Sequence, residues 1–228
     1  MMKVNDIRAD FIEKLDAEEF TVDRTGQETI EMIGASFIAD EPAIFGEVNQ
    51  EYVDAEIDWY LNMSTNINDI FGEEREPPQA WQYSASPYGE INSNYGKLIF
   101  DEKYFAQFEM VVKELINNPD GRRATMVYNR PSIWVEYNEN GKNDFICTNA
   151  VTYYIRDGQV HAVVQMRSND VVFGYKNDRA WQQYVLKEVC EAVNYSADRL
   201  FEEDLTPGNL IWQVQNLHVY ARHFHLVK

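Results

Sequence analysis

Arg167-Ser168-Asn169-Asp170-Val171-Val172-Phe173-Gly174-Tyr175-Lys176-Asn177-Asp178 is the stretch on which the reading of this chain turns. The apolar run Val160 to Met166 before it predicts a strand. From Asp178 onward, Trp181, Val185 and Val189 recur at helical spacing and predict a helix to Val193. A cation, a hydroxyl, two carboxylates and a flexible glycine are thus gathered at one strand-to-helix edge, a common place for ligand sites. The same passage also reads as a polar turn in which Asp178 caps the helix. Its neighbours decide between the two.

Working outward, 228 residues with 45% hydrophobic and 14% aromatic content suffice for one sizeable domain over 1–228. The formal charge of −18 argues against direct nucleic-acid binding, since a polyanion is repelled at long range. Arg122, Arg123, Arg130 and Arg167 stand out in this acidic background, and positioned guanidinium groups suit a small phosphate better than a polymer. The alternative for each is ordinary surface ion pairing. No run of about 18 apolar residues and no signal-peptide pattern occurs, so the expectation is a soluble protein with no membrane partner. Two cysteines, Cys147 and Cys190, make no disulfide framework and fit a reducing cytoplasm. His161, His218, His223 and His225 have no carboxylate beside them in ligand spacing, so no metal is expected.

Along the chain, Val4, Ile7, Phe11 and Leu15 predict a helix, Phe20 to Gly26 a strand entering a turn at Arg24, and Thr29 to Ala39 one strand or two. Glu47 to Met63 predicts a helix with Tyr52, Glu56 and Tyr60 on one stripe. Glu56 then falls on an apolar face, where burial raises a carboxyl pKa and makes it useful as an acid or base near neutrality. A buried Glu paired with an Arg is the other reading. Asn66 to Tyr88 reads as a long loop, with Trp81 either stacking on a ligand or pinning the loop. Gly89 to Gly96 sets Tyr95 among glycines and amides. Phe105 to Leu115 predicts a helix, Arg122 to Asn129 and Ile133 to Tyr137 strands, and Asp144 to Ile155 with Val160 to Met166 a hairpin turning at Asp157-Gly158. On that middle strand Cys147, Asn149, Val151, Tyr153 and Ile155 share a face by period two. Leu210 to Leu217 predicts the last strand.

Eight blocks stand in an order and spacing that resembles the thymidylate synthase superfamily, and within it the deoxycytidylate 5-hydroxymethyltransferases of T-even-type bacteriophages. They are Asp23 to Gly26, Glu56 to Tyr60, Ser64 to Ile67, Gly89 to Gly96, Pro119 to Arg123, Cys147 to Asn149, Arg167 to Asp178, and Leu217 to Tyr220. The resemblance covers nearly the whole chain. It implies an α+β, two-layer fold in which a large mixed β-sheet packs against helices and one sheet face forms a homodimer interface. It also implies dCMP as substrate, 5,10-methylenetetrahydrofolate as cosubstrate and no metal.

The same resemblance assigns roles. Cys147 is the nucleophile that adds to C6 of the pyrimidine, with Arg167 expected to lower its pKa. Arg24, Arg167 and Ser168 hold the phosphate, which Arg122 and Arg123 reach from the other subunit. His218 and Tyr220 meet the sugar, Glu56 and Tyr95 organise water and protons around C5, and Trp81, Asp170, Phe173 and Gly174 meet the folate. Relatives carry a C-terminal extension, beyond the position of Lys228, that helps close the folate site. A phage origin implies an infected bacterial cytoplasm and a place in a nucleotide-precursor complex.

Asp178 marks the departure from enzymes that act on deoxyuridylate, which carry Asn there. Cytosine offers an amino donor at C4 and a bare N3, and a carboxyl group can accept from the first and share a proton with the second. An ionised Asp facing O4 of uracil sets two acceptors together, costing on the order of 1–3 kcal/mol. The expected reaction is one-carbon transfer to C5 of dCMP and hydration to the 5-hydroxymethyl product. The rivals are hydride transfer giving a methyl product, and a non-catalytic nucleotide-binding subunit.

Overall fold

In the computed structural model, which describes residues 1–228, β1 (Met2–Lys3) leads directly into α1 (Val4–Asp16), followed by β2 (Thr21–Val22), β3 (Glu28–Ile38) and α2 (Gln50–Leu61). Then α3 (Gln79–Ser84), α4 (Tyr95–Phe100) and α5 (Gln107–Asn117) precede β4 (Thr125–Val127) and α6 (Ile133–Glu136). The chain continues through β5 (Thr148–Arg156), β6 (Gln159–Asp170), α7 (Gly174–Tyr195) and β7 (Thr206–Tyr220). The seven strands form one mixed sheet in the order β1-β3-β7-β6-β5-β4, with β2 paired to β3. The architecture is the α+β one expected.

The β5–β6 hairpin turns on Asp157 and Gly158, whose φ values of 51° and 72° match a tight turn with both central residues left-handed. The β6 and β7 strands are parallel neighbours, so their connection must recross the sheet, and α7 makes that crossing. Its Trp181, Val185, Val189 and Val193 are buried, as are Val160, Ala162, Val164 and Met166 of β6 and Leu210, Trp212 and Val214 of β7. Each Val, Leu or Met side chain among them contributes about 1.5–3 kcal/mol when fully buried. The alternate residues Tyr154, His161, Val163, Ile211 and Gln213 lie on the opposite face and stay partly exposed.

Several local expectations are corrected. The α7 helix starts at Gly174, so Asp178 lies one turn inside it and caps nothing. Asp170 turns the chain earlier: its Oδ1 accepts from the backbone N–H of Val172 at 2.9 Å and of Phe173 at 2.6 Å. Ile133 to Tyr137 is a helical turn, not a strand. Its apolar run resembled a buried strand, yet only Ile133 is buried while Trp134 is 73% and Val135 71% exposed. Asn66 to Tyr88 contains a 3₁₀ turn at Ile67–Ile70 as well as α3. The β7 strand begins at Thr206 and carries His218 and Tyr220 within it.

Candidate active site

The α2 helix is capped by Asn49, whose side chain accepts from Tyr52 N at 3.2 Å. It turns Glu56 inward, where the residue is 5% exposed. Tyr52, one turn earlier, donates its hydroxyl to Glu56 Oε1. Trp81 Nε1 on α3 reaches both, 3.1 Å from Glu56 Oε1 and 2.9 Å from the Tyr52 oxygen. Burial pushes the Glu56 carboxyl up to about 7, and the two donors oppose that rise. Trp81 is therefore a donor to the carboxylate, and its ring stands edge-on to Trp59 at 5.2 Å.

Asn94 ties α2 to α4. Its Oδ1 accepts from Lys97 N at 2.8 Å, capping α4, while Nδ2 donates to Trp59 O at 3.1 Å and Ser64 O at 2.7 Å. Gly96 then packs so closely that a Cβ there would lie 1.9 Å from Tyr60 O. Tyr95, buried beside it, stacks on Tyr60 with ring centroids 5.4 Å apart and meets Tyr128 edge-on at 5.3 Å. Burial, followed by the charges of Asp178 and Cys147, keeps its phenol protonated. Asp178 enters from α7, with Oδ2 accepting from Asn169 Nδ2 at 2.8 Å. Burial, then the charge of Glu56, pushes Asp178 up to about 8. Asp178 thus stands near enough to Glu56, Tyr95 and Cys147 for charge on one of each pair to act on the other.

Cys147 sits just before β5, which is irregular between Thr148 and Ala150. That bulge breaks the expected period: Thr148 is buried on the side of Val151 and Tyr153, so the run from Cys147 does not share one face. Arg167 Nη2 donates to Phe145 O at 2.8 Å and to Cys147 Sγ at 3.3 Å, and Nε donates to Ile146 O at 3.4 Å. Burial pushes the thiol up to about 11; Arg167 pulls it down, but Asp178 and Asp144 push with burial. The guanidinium effect expected from the sequence is present and outweighed.

Around this centre the phosphate and folate candidates differ in setting. Arg24, Arg122 and Arg123 are exposed, and Arg123 Nε lies 2.7 Å from Glu114 Oε1. Ser168 follows Arg167 on β6, opposite Asn216 of β7. At the ends of these parallel strands Asp170 pairs with His218 in register, and the His218 and Tyr220 rings meet at 5.1 Å. Burial lowers the pKa of His218, which favours the neutral ring. Asp170 Oδ2 is buried with no protein partner, so the residue retains an acceptor for a donor outside the chain. Phe173 is 47% exposed and meets His223 edge-on at 5.0 Å. Gly174 leaves room for Asn169: a Cβ on it would approach Asn169 Nδ2 to 3.0 Å.

Three supporting residues escaped the sequence reading. Asn94 and Asn169 lay inside quoted blocks, but an amide within a polar run, Ser93-Asn94-Tyr95 or Ser168-Asn169-Asp170, signals no particular partner. Asp144 is 6% exposed; its Oδ2 accepts from Asn92 N at 2.6 Å and Ser93 N at 2.8 Å, and its Oδ1 from Ser93 Oγ at 2.6 Å. It anchors the loop leading to Tyr95. Among the side chains, no group of three or more His, Cys, Asp or Glu could hold a metal ion.

Known proteins resemble this chain in sequence and in fold. Deoxycytidylate 5-hydroxymethyltransferases of Enterobacteria phages T4 and T6 are each 50% identical over 226 residues, 99% of this chain and 89% of theirs. Thymidylate synthase of Fusobacterium nucleatum is 25% identical over 171 residues, 74% of this chain and 56% of its own. The solved thymidylate synthase of phage T4 superposes with a TM-score of 0.72 at 22% identity, covering 95% of this chain and 77% of that one, which is a likeness of fold. The family model described as thymidylate synthase matches residues 10–228, and the chain belongs to the thymidylate synthase family.

Proposed function

We propose that this protein transfers a one-carbon unit at the formaldehyde level to C5 of dCMP and hydrates it to 5-hydroxymethyl-dCMP. The observation that carries the reading is Asp178, an Asp held near the centre with one oxygen bonded to Asn169 and its pKa pushed up to about 8. A carboxyl group protonated at neutral pH donates to N3 of cytosine and accepts from the 4-amino group. The 50% identical relatives bear the name of this activity.

In this reading Cys147 Sγ bonds to C6, the thiol proton leaves, and electron density moves to C5, which becomes nucleophilic. With the thiol near 11, Arg167 beside the sulfur stabilises charge as it develops in the addition rather than maintaining a free thiolate. Asp178 steadies the ring through N3. After C5 takes up the carbon unit and loses its proton, cleavage of the bond between that carbon and the departing folate nitrogen leaves an exocyclic methylene with Sγ still on C6; water adds to the methylene, and C6–S cleavage then restores the ring and frees Cys147. Glu56, poised near neutrality by burial, accepts a proton from that water, with Tyr95 aiding its orientation.

5,10-Methylenetetrahydrofolate supplies the carbon unit when bound. The unpartnered Asp170 Oδ2 suits a donor edge of the pterin, with Phe173 and Gly174 beside it and Trp81 holding Glu56. Arg24, Arg167 and Ser168 hold the phosphate, and His218 with Tyr220 the sugar. Arg122 and Arg123 complete the phosphate site of a second copy across the outer sheet face, forming a homodimer. The setting that fits is the cytoplasm of a phage-infected bacterium, within a nucleotide-precursor complex.

The test supplies dCMP or dUMP tritiated at C5, with the folate, and follows tritium release, product mass and dihydrofolate absorbance. Release from dCMP with a hydroxymethyl product is expected. Turnover of dUMP alone sinks the cytosine assignment, and dihydrofolate with a methyl product replaces hydration by hydride transfer.

A further inference from the structure

Asn169 sits near the end of β6 at 4% exposure, and both ends of its amide are engaged. Trp212 Nε1 on β7 donates to Asn169 Oδ1 at 3.1 Å, and Asn169 Nδ2 donates to Asp178 Oδ2 at 2.8 Å. An indole N–H can only donate, so the Asn169 oxygen must face Trp212 and its NH₂ must face Asp178. Flipping the amide would set two donors against each other and leave the indole unpaired in the core. An NH₂ group can only donate as well, so Asp178 Oδ2 must accept, and a proton on this carboxyl group belongs on Oδ1. The close packing that makes this possible depends on Gly174, since a Cβ there would lie 3.0 Å from Asn169 Nδ2 and 3.8 Å from Asp178 Oδ2.

We propose that Asn169, held in one orientation by Trp212, is a specificity-determining positioning residue that decides which oxygen of Asp178 carries the proton. The inference rests on the reading of Asp178 as the contact to the base. With hydrogen on Oδ1 and a free lone pair on Oδ2, the carboxyl group presents a donor to N3 and an acceptor to the 4-amino group of cytosine. Uracil needs the reverse arrangement, an acceptor toward its N3–H and a donor toward O4. A protonated Asp178 could supply that by moving its proton to Oδ2, and the Asn169 NH₂ stands against the move. The amide thus discriminates against uracil without touching either base. A neutral carboxyl group on its own would accept both.

The test measures kcat/KM for dCMP and for dUMP, by tritium release from C5, in wild type, Asn169→Leu and Trp212→Phe. Asn169→Leu keeps the shape and removes the donor; Trp212→Phe keeps a ring and frees the amide to rotate. Asn169→Leu is expected to lower the dCMP-to-dUMP ratio about tenfold, the scale of one buried hydrogen bond, and Trp212→Phe about threefold. A purely structural role for Asn169 lowers both substrates alike and leaves the ratio unchanged, and that result in both variants overturns the proposal. Asp178→Asn, measured alongside, separates the two levels. If it shifts base preference while Asn169→Leu does not, only this inference fails. If neither shifts it, the reading of Asp178 fails as well.

Discussion

The two ends of the site are built in different ways. At the base end, Glu56, Tyr95 and Asp178 are held by side chains that are themselves held: Tyr52 and Trp81 on Glu56, Asn94 and Tyr60 around Tyr95, and Asn169 with Trp212 behind Asp178. At the proposed phosphate end, Arg24, Arg122 and Arg123 are exposed, and Arg123 engages Glu114 on its own chain. Arg167, proposed for the phosphate as well, is by contrast fixed: it binds the Phe145 and Ile146 carbonyls and the sulfur of Cys147. Chemistry that depends on which atom carries a proton requires fixed atoms. Gripping a phosphate dianion requires only flexible cations within reach, which a second chain can supply.

That contrast is broken most severely at the nucleophile. Cys147→Ser is expected to cut turnover on the order of 10⁴-fold while dCMP binding measured by calorimetry changes little, because the lost step is covalent. Asp178→Asn is expected to move the ratio of dCMP to dUMP turnover by roughly 10²-fold toward dUMP, since an amide serves the N3–H and O4 of uracil. Product analysis on both nucleotides checks it.

At the other end, Arg122→Ala is expected to raise KM for dCMP by about tenfold, an effect that shrinks as salt rises, with kcat nearly kept. The proposed homodimer gives it a sharper form. Arg122→Ala/Arg123→Ala protein, assayed at dCMP far below its raised KM and mixed with inactive Cys147→Ser protein, should gain activity as subunits exchange, because one hybrid site holds an intact set. Activity that stays absent while sedimentation reports mixed dimers would place these arginines in their own chain's site.

The smallest expected effect concerns stability. Glu56 is raised in the fold from 4.5 to about 7, so the folded state holds its proton more tightly than the unfolded chain does. The stability this gives is complete below about pH 4.5 and lost as pH climbs to about 7, after which a buried charge remains. Glu56→Gln removes that dependence. Its Tm should exceed that of the wild type by several degrees at pH 8 to 9 and converge with it near pH 4, as followed by circular dichroism.

The sequence disclosed the base end by type and missed how it is held. Helical spacing was enough to put Glu56 on the apolar stripe of α2, and Asp178 in the place of an Asn was enough to suggest cytosine. Asn94, Asp144 and Asn169 remained hidden, because each works through partners about 30 to 50 residues away in the chain, such as Ser64, Ser93 and Trp212. Periodicity is blind to such contacts. It also failed where the chain is shortest of turns: Ile133 to Glu136 carries strand-like residues, and one helical turn leaves too few positions for a period to declare itself. The early start of α7 was hidden for a related reason, since Asp170 bonds the backbone locally and lets the helix begin on a glycine.

Gly96 gives the site a kind of evolutionary latitude. The Tyr60 carbonyl occupies the space a Cβ would need, so α2 and α4 touch main chain to main chain, one turn from Glu56 and one residue from Tyr95. A separation set by two backbones does not depend on the rotamers or volumes of the aromatic residues around it. The surrounding rings are thus free to drift between descendants of this chain while the acid and the phenol keep their spacing, and the glycine is the position where drift should stop.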